Sequence, residues 1–213
     1  MPLSSVSKAS LPGEAPGDKI ARFVKHYVGC SLKTRTDELA VLVARGVDDP
    51  KLMVGVKTNC GTSALGIFAE VGVDSPVLLR RYLTGTPPRV TGNAIAWLIE
   101  IGMDRRALVK YTGVTGMQPK VGSLLHYRSP SRPGVDPKND DHVEFLLSPI
   151  DTRGYAQHGG GGRSDNAITM TTDPGLVTYN NGRPLLQFWD PDLLGIEALL
   201  PTSDVNSAYP EPT

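Results

Sequence analysis

The sequence predicts an α+β protein in which a layer of N-terminal helices packs on a C-terminal antiparallel sheet. Three observations carry this expectation. Up to about residue 115 the apolar residues recur at helical spacing, in segments closed by glycine. Beyond it the chain breaks into short β-favouring runs separated by Gly, Pro, Asp and Asn. Finally, 23 glycines and 18 prolines with 6% aromatic content describe a turn-rich chain rather than a helical bundle. Helices first and strands second, without alternation, point to α+β.

Residues 1–17 and 201–213 are rich in Pro, Ser and Gly with little to bury, and are expected as flexible tails on a single domain spanning 18–200. At 213 residues the chain is long enough for one full hydrophobic core. Asp18 is placed to cap a first helix, because Ile20, Phe23, Val24 and Tyr27 make one apolar face and Gly29 follows as a stop. Thr36 and Asp37 open a second, through Leu39, Val41, Leu42 and Val43 to Gly46. A third begins at Cys60 and runs through Ala64, Leu65, Ile67, Phe68 and Val71 to Gly72. Thr91 or Asn93 caps a fourth, built on Ile95 to Ile99, and MDRRALVKYTG adds a short strand or a helical turn. The strand runs are Val121 to Tyr127, His142 to Leu147, Tyr155 to His158, Ala167 to Thr171 and Leu185 to Trp189.

Charge and cysteine usage narrow the function classes. Lysine plus arginine equals aspartate plus glutamate, 22 against 22, so no net field favours nucleic acid or an anionic membrane surface. No run approaches the roughly 20 apolar residues of a membrane span. Two cysteines, Cys30 and Cys60, and four histidines without a CxxC or HExxH pattern give no metal-site signature, and no cofactor is expected. The opening MPLSSVSKASLPGEAPGD has no apolar h-region, so no Sec signal is visible and synthesis in the cytoplasm is the expectation.

The chemistry concentrates on Cys60. It lies in KTNCGTSALGIFAEVG, where a polar turn becomes a helix. A helix N-terminus carries about half a positive charge and unpaired N–H donors, which favour a thiolate. A free cysteine is commonly just a small buried hydrophobe, but Thr58, Asn59, Gly61 and Thr62 surround this one with polar chain. Cys30 follows a helix, where the dipole opposes ionisation, and is the weaker nucleophile. His142, after PKNDD and before an apolar strand, is either a surface histidine or the base that takes the Cys60 proton. A catalytic imidazole needs a third group to orient it, and His158 on the next strand run is the first candidate. Gln157, Asp165 and Asn166 stand in reserve, with Asp140 and Asp141 close in sequence but awkwardly placed. The stretch Gly159–Gly162 fits no phosphate-loop pattern and is expected as a hairpin turn or as the wall of a cleft. The oxyanion hole is expected from the Cys60 backbone N–H and a neighbour. Trp97, Trp189 and Tyr127 are expected in the core or lining the cleft.

The order TNCGTSALGIF, PKVGSLLHY, DHVEFLLS, YAQHGGGG resembles the NlpC-like and CHAP-like branch of papain-fold cysteine peptidases over roughly residues 55–190. Position by position the resemblance implies Cys60 as nucleophile, His142 as base and His158 as orienting residue. It departs from the family pattern at Ser123, where an Asp is usual, and at Glu144, where a small residue is common. It implies a papain-like fold and a hydrolase of peptide amides, typically in peptidoglycan, used in wall remodelling, phage lysis or interbacterial toxicity; the missing Sec signal fits delivery by phage lysis or by a secretion system better than a housekeeping exported hydrolase. Two other classes remain open: a non-catalytic binding or structural module on the same fold, and a thiol acyltransferase that uses an amine in place of water.

Overall fold

A computed structural model describes residues 10–31, 42, 60–73, 75, 94–128, 141–161, 168–174, 178–179 and 183–196. Among these residues three complete helices precede seven strands: α1 (Pro16–Tyr27), α2 (Cys60–Val71), α3 (Ala94–Asp104), β1 (Leu108–Lys110), β2 (Leu124–Tyr127), β3 (His142–Leu146), β4 (Tyr155–Gly160), β5 (Thr169–Pro174), β6 (Thr178–Tyr179) and β7 (Arg183–Trp189). The helices pack on an antiparallel sheet ordered β1-β7-β2-β3-β4-β5, with the short β6 paired to β7. The α+β architecture expected from the change of periodicity is therefore the one observed.

Helix α1 starts three residues earlier than its sequence suggests. Pro16 occupies the first turn and Ala15 is the cap residue, without a side-chain cap bond, so Asp18 sits inside the first turn instead of capping it. Proline suits that place because its missing N–H would have had no intrahelical partner. Asp18 still acts favourably there, as a negative charge near the positive helix end. Part of the expected N-terminal tail is also packed. Glu14 takes the Leu11 N–H and pairs with Arg22 at 2.7 Å, while Gly17 is buried with Val121 and Pro191 against its backbone. The helix expected over 36–46 lies outside the described residues apart from Leu42, which is helical and fully buried.

Helix α2 begins at Cys60 and stops before Gly72, whose φ of +79° lies in the left-handed region that side chains disfavour. It packs against α1, α3 and β3. That central position explains why its polar residues Thr62, Ser63 and Glu70 are buried along with Leu65, Ile67 and Phe68. The Phe68 ring meets Phe145 of β3 edge-on at 6.0 Å, and Trp189 donates its indole N–H to the Leu98 carbonyl of α3 at 2.7 Å. These contacts lock the helix layer to the strands; truncating either phenylalanine is worth about 3–5 kcal/mol of stability. Among the described residues no helix is long and apolar enough to cross a membrane.

Strand alternation divides the sheet side chains into two sets. Leu124, Val143, Phe145, Leu147 and Trp189 join the helices in the main core. Leu125, Tyr127, Leu146, Leu185 and Phe188 form a second cluster on the other face. His142 and Glu144 share the parity of Leu146, and hence that second face. Pairing fixes the register: Tyr127 lies opposite His142, His126 opposite Val143, and Leu146 opposite His158. Gly159 and Gly160, expected in a hairpin turn or a cleft wall, belong to β4 and pair with Met170 and Thr169. A Cβ on Gly160 would stand 3.0 Å from Glu144 Cβ, so a bare backbone is what lets β4 lie this close to β3.

Candidate active site

Cys60 is the first residue of α2, where N–H groups without helical partners point outward. The residue is 5% exposed, and its sulfur accepts hydrogen bonds from the backbone N–H groups of Val143 and Gly61 as well as pairing with the His142 ring. Burial is the largest influence and pushes the thiol up. The hydrogen bond and charge of His142, with the two backbone donors, outweigh it and hold the Cys60 thiol below its ordinary value. Gly61 permits the neighbouring helix to close in: a Cβ there would lie 2.8 Å from Ala94 Cβ at the start of α3. Ser63 donates its hydroxyl to the Cys60 carbonyl at 3.1 Å, within the first turn.

His142 opens β3 and is buried. Burial is again the largest influence and lowers its basicity, but the Cys60 sulfur and the Glu144 carboxylate together raise the imidazole to about 9. Each partner thus favours the charged form of the other.

The structure brings a third ionisable group to this pair that sequence reasoning did not select. Glu144 is 2% exposed, and its Oε2 lies 3.7 Å from His142 Nε2 while its Oε1 lies 3.9 Å from His158 Nδ1. The sequence-predicted His158 is in the same constellation, buried on β4, with the Tyr127 hydroxyl 3.4 Å from its Nδ1. A signal for Glu144 was present: His-Val-Glu on a strand places its first and third side chains on one face. Of the reserves, Gln157 is half-buried on β4 and its N–H donates to Ser148 Oγ, while Asp140, Asp165 and Asn166 lie outside the described residues. Cys30 is fully buried.

Asp141 serves a different histidine. Its Oδ2 is 2.9 Å from His126 Nε2, and Gln187 Nε2 is 3.0 Å from His126 Nδ1. His126 and Gln187 are directly paired across β2 and β7, which puts both side chains on one face. A buried neutral imidazole with one N–H donated to a carboxylate and the other nitrogen accepting an amide N–H satisfies both ring atoms. Burial chiefly lowers the basicity of His126, and the nearby Arg128 and His142 lower it further against the opposing pull of Asp141.

The departure at Ser123 has a local explanation. Its buried hydroxyl accepts the Lys120 N–H at 3.1 Å and its own N–H donates to the Lys120 carbonyl, closing the turn that leads into β2. Trp189 and Tyr127 are core residues, one in each cluster, and Trp97 packs partly buried against the main one. Among the described residues no group of three His, Cys, Asp or Glu side chains is arranged to hold a metal ion.

Comparison of the chain with protein-family models, with curated proteins and with solved structures gave no match.

Proposed function

We propose that the protein is a cysteine-dependent amidase or endopeptidase of papain-like type, acting through an acyl-enzyme at Cys60 on peptide amides of the kind found in peptidoglycan. The observation that supports this reading is the Cys60–His142 pair: a thiol at a helix N-terminus, held below its ordinary pKa, beside an imidazole held above its own. The peptidoglycan substrate is the narrower part, and its support is the order of the four sequence segments that resemble NlpC-like and CHAP-like hydrolases.

In the proposed reaction the Cys60 thiolate adds to the amide carbonyl carbon. The C–N bond breaks, and the His142 imidazolium gives its proton to the departing amine. His142, now neutral, takes a proton from water as that water attacks the thioester; the C–S bond then breaks, the acid leaves, and Cys60 is released as the thiolate beside the imidazolium, which restores the starting pair. With Nε2 turned towards Glu144, Nδ1 is the nitrogen left to serve the sulfur and the leaving group. Helix N-terminal N–H groups suit the oxyanion of the tetrahedral intermediate. None of these steps uses a cofactor.

The test is cleavage of purified wall peptides by the wild type and by Cys60→Ala, with product masses recorded in the presence and absence of an added amine. Loss of cleavage in the variant, with free acid and amine as products, is expected. Full activity in Cys60→Ala would overturn the reading, and amine-dependent products would convert it to acyl transfer.

A further inference from the structure

The orienting group of His142 was expected on the next strand, at His158. We propose instead that Glu144, two residues along the same strand, is the positioning residue that holds His142, and that His158 acts on His142 only through Glu144. This inference rests on the thiolate–imidazolium reading of Cys60 and His142.

Three observations carry it. First, the two carboxylate oxygens are divided between the two rings, with Oε2 at 3.7 Å from His142 Nε2 and Oε1 at 3.9 Å from His158 Nδ1. Both distances exceed a direct hydrogen bond by less than 1 Å, and catalytic contacts are often this long before substrate binds. Second, the carboxylate is 2% exposed, and a buried carboxylate is stable as an anion only beside groups that carry charge or donate hydrogen bonds. The two imidazoles are such groups. Third, the surroundings hold Glu144 in place. Gly160 presses bare backbone against its Cβ and Cα, and Leu125 lies directly opposite on β2. Behind it, Tyr127 OH approaches His158 Nδ1 at 3.4 Å, so the chain of polar groups runs His142, Glu144, His158, Tyr127 across β3, β4 and β2.

The arrangement divides the labour in a definite way. Glu144 supplies the negative charge that keeps His142 protonated and its Nε2 fixed. His158 Nδ1, 3.9 Å from the other oxygen and 3.4 Å from the Tyr127 hydroxyl, stops the carboxylate from turning away. His158 therefore has no hold on His142 once the carboxylate is gone.

The experiment follows the ring signals of His142 by NMR against pH in 15N-histidine-labelled full-length protein, which needs no substrate. Glu144→Gln, nearly isosteric, is expected to lower the His142 titration midpoint by about 1 unit or more, the effect of removing an opposite charge at this range. His158→Phe is expected to lower it as well, His158→Asn to restore it by presenting an N–H where Nδ1 was, and His158→Phe to add nothing in the Glu144→Gln background. Far-UV dichroism and thermal melting check that each variant is folded, and Glu144→Asp provides a second carboxylate if Glu144→Gln is not. An unmoved midpoint in folded Glu144→Gln overturns the proposal. So does a His158→Phe shift of equal size with and without the carboxylate, which would make His158 a direct partner of His142. Either result leaves the Cys60 hydrolase reading to its own test, since cleavage by wild type and Cys60→Ala is measured separately.

Discussion

Replacing His142 with alanine removes the main influences that hold the Cys60 thiol down, and the consequence can be worked through from the site. In the wild type, burial raises the thiol while the His142 hydrogen bond, its charge and the N–H groups of Val143 and Gly61 lower it, with the net result below the ordinary value of 9.0. In His142→Ala burial keeps its full effect, and only the two backbone donors oppose it. The thiol is then expected to rise, and each unit of upward movement reduces the thiolate present at neutral pH about tenfold. The assay is iodoacetamide alkylation of the folded protein at a series of pH values, with the Cys60 and Cys30 peptides quantified by mass spectrometry. Because alkylation follows the thiolate, wild-type Cys60 is expected to react faster at pH 7 than in His142→Ala, with the variant catching up as the pH rises. Cys30, fully buried, is expected to react slowly in both. Equal rates for Cys60 in the two proteins at pH 7, with superimposable pH profiles, would refute the argument that His142 stabilises the thiolate.

Further outcomes follow from the same geometry. Gly160→Ala places a Cβ 3.0 Å from Glu144 Cβ and 3.2 Å from its Cα; the strands must shift, costing about 1–3 kcal/mol in chemical denaturation and lowering activity with it. His126→Phe removes both the N–H that Asp141 accepts and the acceptor of the Gln187 amide; a loss of about 2 kcal/mol is expected, measured by urea unfolding. The raised imidazole of His142 also links stability to pH. Its folded value of about 9 lies above the ordinary 6.5, so its contribution is full below 6.5 and is lost as pH rises through about 9. Comparing urea midpoints of wild type and His142→Gln from pH 6 to pH 10 is expected to show their difference shrinking over that interval; a constant difference would contradict the linkage.

Local sequence was a good guide wherever an element depends on its own residues. The helix from Cys60 to the Gly72 stop follows from a 3.6-residue apolar pattern and a glycine that tolerates positive φ, and both are visible in the chain. The strand at His142 was legible for the same reason. The start of α1 was misplaced because a proline at the first turn and an aspartate within it give similar signals, and packing of Gly17 against Val121 decides which residue leads. The glycines at 159 and 160 suggest either a hairpin turn or backbone that must approach something closely, and the sequence does not choose between them. Their use here, as strand residues that let β4 approach Glu144, depends on a neighbour that only pairing supplies.

The sequence by itself determined that Cys60 stands at the start of a helix and His142 at the start of a strand, since each fact needs only the period of the surrounding residues. It also determined the α+β order of the chain, because helical and strand periods occupy separate halves. What surrounds those two side chains is set by long-range packing. The Val143 N–H reaches the sulfur because α2 docks against β3, and Glu144 lies between His142 and His158 because strand register sets which residues face each other. Register is a long-range property, fixed by pairing between segments distant in sequence, and no local pattern encodes it.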